Sequence, residues 1–204
     1  MTKFLIDGAG DAAHTYVFAH GAGGPMVSPF MATIARGIAK GGIRVVRFEF
    51  PYMAARKKRP DPQDVLLQAW RDVIGTLGHP ERMVIGGKSM GGRMATMVAD
   101  EMAVAGILCY GYPFHPSGQP AKLRTAHLKS LKTPALIVQG TRDSFGSRAE
   151  VETYGLPPTI RFEWIAEGDH SLRPGARSGI TERENLERAV AAGVRFITSN
   201  LAVG

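Results

Sequence analysis

Cysteine is almost absent, with Cys109 the only one in 204 residues. A lone thiol closes no intramolecular disulfide and excludes every metal site built on paired cysteines. Long apolar runs are missing too. Val104 to Tyr110 falls far short of the roughly 20 residues that cross a bilayer, so no membrane span and no membrane partner are expected. The opening stretch MTKFLIDGAG has only Phe4 to Ile6 as an apolar core and no small-residue cleavage pattern, which is not how a secretory signal reads. With the unpaired cysteine this points to a cytoplasmic setting. No repeat, low-complexity tract or linker interrupts the chain, and residues 1–204 are expected to form a single domain. The composition, 44% hydrophobic and 21% charged, is enough for a packed core without staples.

Acidic residues are the minority charge, and the formal net charge is +7. An excess of this size raises nucleic acid as a partner. The densest cluster, Arg56-Lys57-Lys58-Arg59 ahead of Pro60, reads first as a solvated loop. Its alternatives are steering of an anionic substrate and nucleic-acid contact. No basic stretch interleaved with aromatics is present, which disfavours a single-strand binder.

Short apolar runs alternate with segments of helical spacing. The strand-like runs are Tyr16–Ala19, Arg44–Phe50, Met83–Gly86, Gly106–Tyr110, Ala135–Gln139 and Ile160–Ile165; near-continuous apolar runs of this kind suit a buried parallel sheet. A further strand at Lys3–Ile6 is expected antiparallel at an edge. Met31, Ile34, Ala35 and Ile38 share one helical face that stops at Gly41-Gly42. Val65, Leu66, Ala69, Val73 and Ile74 mark a second helix, with Asp61-Pro62 as cap and first-turn proline. A third helix begins near Ser89 and runs through Met94 and Val98. The last spans Glu182–Leu201, with Leu186, Val190, Val194 and Ile197 on one stripe. The expected fold is α/β, a doubly wound, mostly parallel sheet with helices on both faces. The chain is too short to carry a cap domain as well.

The segment VIGGKSMGGRMA, residues 84–95, contains two overlapping signatures. Gly-Lys-Ser resembles the end of a phosphate-binding loop, but the full pattern needs a glycine five residues before Gly87, where Arg82 stands. The dinucleotide fingerprint fails as well, because Gly86 and Gly87 are adjacent. The other signature is G-x-S-x-G, centred on Ser89. A serine presented on a strained strand-to-helix turn needs small residues two before and two after it, and Gly87 and Gly91 occupy those places. Gly92 and Ala95 would let the following helix pack closely on the sheet.

A serine hydroxyl attacks only when a positioned base takes its proton and a carboxylate orients that base. In this topology the three follow in the order Ser, Asp or Glu, His. Asp143 lies just beyond strand Ala135–Gln139, and His170 just beyond strand Ile160–Ile165. These three are the candidate catalytic residues, with Glu167 as an alternative acid; Asp169 is assigned to its own loop. His14, His79, His115 and His127 are weaker candidates for the base. Attack also needs two preorganised N–H donors for the oxyanion. Met90 is the first candidate. The second comes from HGAGGP, residues 20–25, with Ala22 favoured and Gly21 next, while His20 is expected to buttress that loop. No cofactor and no metal are expected.

In that order, HGAGG, GGKSMGG, GTRD and EGDH resemble the α/β-hydrolase superfamily over essentially the whole chain. The longer stretches FAHGAGGPMVSPFM and RVVRFEFPY are similar to a compact, lidless branch close to dienelactone-hydrolase-like proteins. That branch has eukaryotic relatives that include a testis-expressed protein and a noncatalytic subunit of a histone acetyltransferase complex. The resemblance implies a hydrolase fold with Ser89, Asp143 and His170 as the triad positions. The chain departs from dienelactone hydrolases in carrying serine where they use cysteine. The leading expectation is a metal-independent serine hydrolase acting on a small-molecule ester, thioester or related acyl substrate; the alternative is a noncatalytic binding or scaffold protein of the same fold. Lys88, Arg142, Arg173 and Arg56 to Arg59 stand near the expected site. They either face solvent and pair with acids, the preferred reading, or bias the pocket toward an anionic substrate. Specificity is expected to rest on loops such as Tyr112–Arg124.

Overall fold

The computed structural model describes residues 2–201; Met1 and residues 202–204 of the expected 1–204 span lie outside the described residues. The architecture is a seven-stranded sheet built from β1 (Phe4–Asp7), β2 (Thr15–Ala19), β3 (Arg44–Phe48), β4 (Met83–Lys88), β5 (Gly106–Tyr110), β6 (Ala135–Gly140) and β7 (Ile160–Ile165). The strands lie in the order β1-β3-β2-β4-β5-β6-β7. Every neighbouring pair is parallel except β1 with β3, the antiparallel edge expected from the sequence. The order reverses at β2 and β4, the switch point where open α/β sheets form ligand crevices beyond their strand ends.

The central strands are buried on both faces, and their side chains alternate between two cores. Tyr16 and Phe18 of β2 join one cluster, while Val17 and Ala19 join the other. On the first face lie α1 (Pro29–Lys40) and α6 (Glu182–Leu201). On the second lie α2 (Pro51–Ala54), α3 (Gln63–Leu77) and α4 (Met90–Val98). A short α5 (Arg148–Val151), which the sequence reading does not contain, is set by a capping box between Ser147 and Glu150.

The four expected residues of α1 are all buried, and Gly42 beyond its end takes φ +80°. Apart from one-residue shifts at β1, β2 and β6, three boundaries differ from expectation. The strand expected over Arg44–Phe50 stops at Phe48, because Phe50 and Pro51 start α2. Pro62 occupies the N-cap position of α3 rather than its first turn. Strand β4 runs on to Lys88, delivering the chain straight into the turn at Ser89. On α3, Val65 is exposed and Trp70 takes the deepest place, edge-on to Phe48 with ring centroids 4.9 Å apart.

The stripe of α6 is also displaced. Asn185, Ala189, Ala192, Gly193, Phe196 and Ile197 are its buried positions, whereas Leu186, Val190 and Val194 are only partly buried. The reason is helix against helix. Val190 and Val194 seat on the glycines of α1, where an added Cβ at Gly37 would come within 2.7 Å of Val190 Cγ2 and one at Gly41 within 2.9 Å of Val194 Cγ1.

Buried Arg47 ties the β1 edge to the loop after β2. Its Nη2 pairs with Asp7 at 2.7 Å and its Nη1 donates to the Met26 carbonyl at 2.7 Å. Among the described residues no helix is long and apolar enough to cross a membrane.

At Gly92 on α4, a Cβ would meet the Gly87 carbonyl oxygen at 2.8 Å and Cys109 Sγ at 2.9 Å. Overpacking against backbone costs about 1–3 kcal/mol. Gly92→Val is therefore expected to lower the thermal unfolding midpoint by roughly 5 °C or more, measured by circular dichroism.

Candidate active site

At the end of β4 the chain turns through Ser89 at φ 51° and ψ −115°, a left-handed conformation that a side-chain-bearing residue holds only when its surroundings enforce it. Two approaches supply that enforcement. A Cβ at Gly87 would stand 2.5 Å from the Ala19 carbonyl oxygen and 2.8 Å from the Gly91 carbonyl carbon; one at Gly91 would stand 2.5 Å from the His20 carbonyl oxygen. Only glycine lets β2, β4 and α4 come this close. The Ser89 N–H donates to the Tyr110 carbonyl of the neighbouring strand β5 at 3.0 Å, and Trp70 Nε1 of α3 donates to the Gly91 carbonyl at 3.3 Å, closing the turn from two elements.

Ser89 Oγ lies 2.9 Å from His170 Nε2, and His170 Nδ1 lies 2.8 Å from Asp143 Oδ2. An ionised carboxylate only accepts, so Nδ1 carries the proton and Nε2 is left to accept from the Ser89 hydroxyl. Asp143 is fully buried. Its Oδ1 accepts from the Phe145 N–H at 2.8 Å, and its Oδ2 accepts a second bond from Gln139 Nε2 at 2.8 Å.

Gln139 was not among the residues singled out from the sequence. It is buried at the end of β6, its amide oxygen accepting from the Tyr112 N–H at 2.7 Å and its Nε2 also facing the carbonyls of Tyr112 and Gly146. A polar side chain ending an otherwise apolar strand was its signal. Phe145, likewise unforeseen, lies against the His170 ring with centroids 4.3 Å apart.

The loop after β2 borders the same space. A Cβ on Gly21 would be 3.5 Å from Ser89 Cβ. The carbonyls of this loop are held away from the serine. His20 Nδ1 lies 2.7 Å from the Gly21 oxygen, and Tyr52 donates to the Ala22 oxygen at 3.1 Å. Because the Phe50 N–H donates to His20 Nε2 at 3.1 Å, Nδ1 is the protonated nitrogen of His20, and burial lowers its pKa. His20 is thus the expected buttress. Met90, at the first position of α4, has an N–H that the helix leaves free.

The sequence model described as the alpha/beta hydrolase domain matches residues 12–198. The chain belongs to that family. Solved structures with the same fold include an alpha-beta serine hydrolase homologue from Coxiella burnetii, 19% identical with a TM-score of 0.74 over 96% of this chain and 91% of that one. A lidless serine hydrolase from Xanthomonas campestris is 20% identical, with a TM-score of 0.71 over 96% and 88%. A dienelactone hydrolase from Anabaena variabilis is 20% identical, with a TM-score of 0.68 over 98% and 91%.

In this hydrolase the cleft above Ser89 has a volume of about 680 Å³ and is bordered by Gly21 to Gly24, Phe30, Met90, Phe145 and His170. Of the basic residues named from the sequence, only Lys88 lines it. Arg142 pairs with Glu167 at 3.5 Å and Arg173 with Glu182 at 3.1 Å, both largely exposed, and Arg56 to Arg59 are exposed outside the cleft. Glu167 is therefore engaged on the surface and not with His170, and Asp169 caps its own loop through the N–H groups of Ser171 and Arg173. From the loop Tyr112–Arg124, Pro113 and Arg124 reach the cleft, while Tyr112 and Phe114 are buried in the core. Arg93 and Arg124 are the cationic lining residues that sequence reasoning missed. Cys109 is fully buried, and burial pushes its thiol up to about 12, which leaves no thiolate at neutral pH. Among the described residues no three His, Cys, Asp or Glu side chains gather where they could hold a metal ion.

Lys88 is not at the rim. Its ammonium donates to the His170 carbonyl and sits over the Phe30 ring, 5.4 Å from the centroid. Burial drives its pKa down to about 8, against the opposing pull of Asp143 and Asp169. The folded protein therefore holds this proton less tightly than the unfolded chain does, and the ionisation penalty is full below pH 8 and fades between pH 8 and about 10.5. Lys88→Met, which keeps the stem, removes the charge penalty but also the donor to the His170 carbonyl, so its effect relative to wild type is expected to be more favourable at pH 7 than at pH 9.5. Urea unfolding at the two pH values measures it; an equal difference from wild type at both would contradict the desolvated charge as its source.

Proposed function

We propose that this hydrolase cleaves small esters or thioesters by serine nucleophilic catalysis. Supporting this reading is one observation above the others: the unbroken Ser89–His170–Asp143 hydrogen-bond chain, with Ser89 held on a strained turn at the floor of a cleft. Ser89 Oγ attacks the substrate carbonyl carbon as its proton passes to His170 Nε2. The buried Asp143 carboxylate keeps the imidazole in the tautomer that accepts this proton and stabilises the imidazolium. The charge that develops on the carbonyl oxygen is met by the N–H of Met90 and that of Ala22, with Gly21 as the neighbouring donor. Collapse of the tetrahedral intermediate expels the alcohol or thiol, which takes the proton from His170 and leaves an acyl group on Ser89. Water activated by His170 then releases the acid and restores the serine.

Structural neighbours that include an esterase domain from Rhodothermus marinus and a monoacylglycerol lipase from Paleococcus ferrophilus agree with acyl-ester chemistry. Gln139 has a positioning role, since it orders the carboxylate that orders the base.

A fluorophosphonate probe is expected to label Ser89 alone. Ser89→Ala should abolish labelling and lower kcat on p-nitrophenyl butyrate by roughly three orders of magnitude or more. Wild-type protein that neither labels nor turns over such esters would overturn the proposal. Asp143→Asn keeps the shape but favours the wrong imidazole tautomer, and kcat is expected to fall by about 10³–10⁴ with the fold intact.

A further inference from the structure

The cleft has a charge pattern that the ester chemistry does not use. Three cations, Lys88, Arg93 and Arg124, line it against one carboxylate, Asp61. Lys88 is committed to the His170 carbonyl. The two arginines are not committed. Among the described residues neither guanidinium lies within ion-pair distance of a carboxylate, and Arg93 Nε is buried with no hydrogen-bond partner; its one side-chain bond runs from Nη2 to Gln63 Oε1 at 3.1 Å. The pair stands close enough for the Arg124 charge to work against that of Arg93. Burial and the Arg93 charge also push His127, bonded to Thr96 and Tyr112, down to about 4.

Two partly buried guanidiniums lining one cleft, one of them with a buried Nε that has no partner, are costly without a counter-ion. Among the described residues no side chain pairs with either one; Asp61, the carboxylate in the cleft, has its own Oδ2 buried without a partner, and the cleft is where a counter-ion can arrive. Arg93 lies four residues after Ser89 on α4, its N–H donating to the Ser89 carbonyl at 3.0 Å. It therefore rises from the same helical face as the serine, about 6 Å further along the axis. Asp61 lies toward Tyr52, whose pKa it helps to raise, and it makes no ion pair with either arginine. A single negative charge suits the arginine end; a second one nearer Asp61 does not.

We propose that Arg93 and Arg124 form an anion subsite, and that the acyl compounds this hydrolase acts on carry a carboxylate or phosphate a few bonds from the scissile carbonyl. The inference rests on the proposed serine chemistry for the word scissile, but the subsite itself is tested without turnover. Binding to Ser89→Ala is measured by calorimetry for three probes: glutaric acid mono-anilide, its uncharged primary amide, and phenyl phosphate. The acid is expected to bind at least about tenfold more tightly than the amide, the range of a charge-assisted hydrogen bond. Phenyl phosphate binding above or below the acid identifies which anion the subsite prefers. Arg93→Gln and, separately, Arg124→Gln in the same background should each remove most of the difference between acid and amide; the loop variant guards against a folding defect in the helix variant. Equal binding of acid and amide, or an acid preference untouched by both substitutions, would overturn the subsite. In the wild type, the ratio of kcat/KM for mono-p-nitrophenyl glutarate to that for p-nitrophenyl valerate should fall at least about tenfold on Arg93→Gln, mainly through KM. Labelling of Ser89 with no acid preference would end the anion subsite and leave the hydrolase standing, whereas acid preference without labelling or turnover would do the reverse.

Discussion

The close approach of three backbone segments at the end of β4 is the constraint on which the rest of the molecule depends. Strand β2, strand β4 and helix α4 meet at Gly87 and Gly91 with no space for a Cβ between them. That contact drives the chain through Ser89 at φ 51° and exposes the hydroxyl above the sheet. The same contact brings the loop from His20 to Gly24 beside the serine, since β2 pairs with β4 up to Ala19 and Gly87. Helix α4 then starts with its free N–H groups at the serine and carries Arg93 one turn away. One packing event thus sets the serine, the border of the cleft and the nearer arginine.

The charged groups beneath the cleft follow from burial. Asp143 is removed from water, and it is tolerated there because three donors converge on it, from His170, Gln139 and the Phe145 backbone. Lys88 is buried in turn, and its ammonium fastens the carbonyl of the residue whose imidazole faces Ser89. A buried ammonium lowers stability at neutral pH, and this one sits in the site and not elsewhere. Strain at Ser89 and the desolvated charges at Asp143 and Lys88 are concentrated within one small region, while the two hydrophobic cores on either side of the sheet hold the frame.

The strand runs were legible because a central strand buried on both faces reads as a continuous apolar block, and every one of them is found in the structure. Helix α1 was legible for the same kind of reason, as Met31, Ile34, Ala35 and Ile38 fall on one continuous apolar face that is wholly buried. The stripe on α6 was misplaced because that helix meets α1 as well, and glycines on α1 draw Val190 and Val194 toward it. Trp70 was overlooked on α3, since its neighbours at helical spacing were apolar enough to fill the pattern without it. The basic residues show the sharpest contrast. Those nearest the motifs in sequence, Arg142 and Arg173, pair with surface acids, whereas Arg93 and Arg124, which come from a helix and a distant loop, line the same cleft.

By itself the sequence determined the alternation of strand and helix, the strained turn at Ser89, and the chain order that put Asp143 and His170 beyond successive strand ends. These are local or periodic properties, written in the spacing of glycines and apolar residues along one segment. Tertiary structure alone decided which polar groups face one another across segments: Gln139 against Asp143, Lys88 against the His170 carbonyl, Arg93 and Arg124 on one cleft. Such pairings join residues far apart in the chain, and their energies depend on distance and on exclusion of water, neither of which exists until the sheet has closed around them.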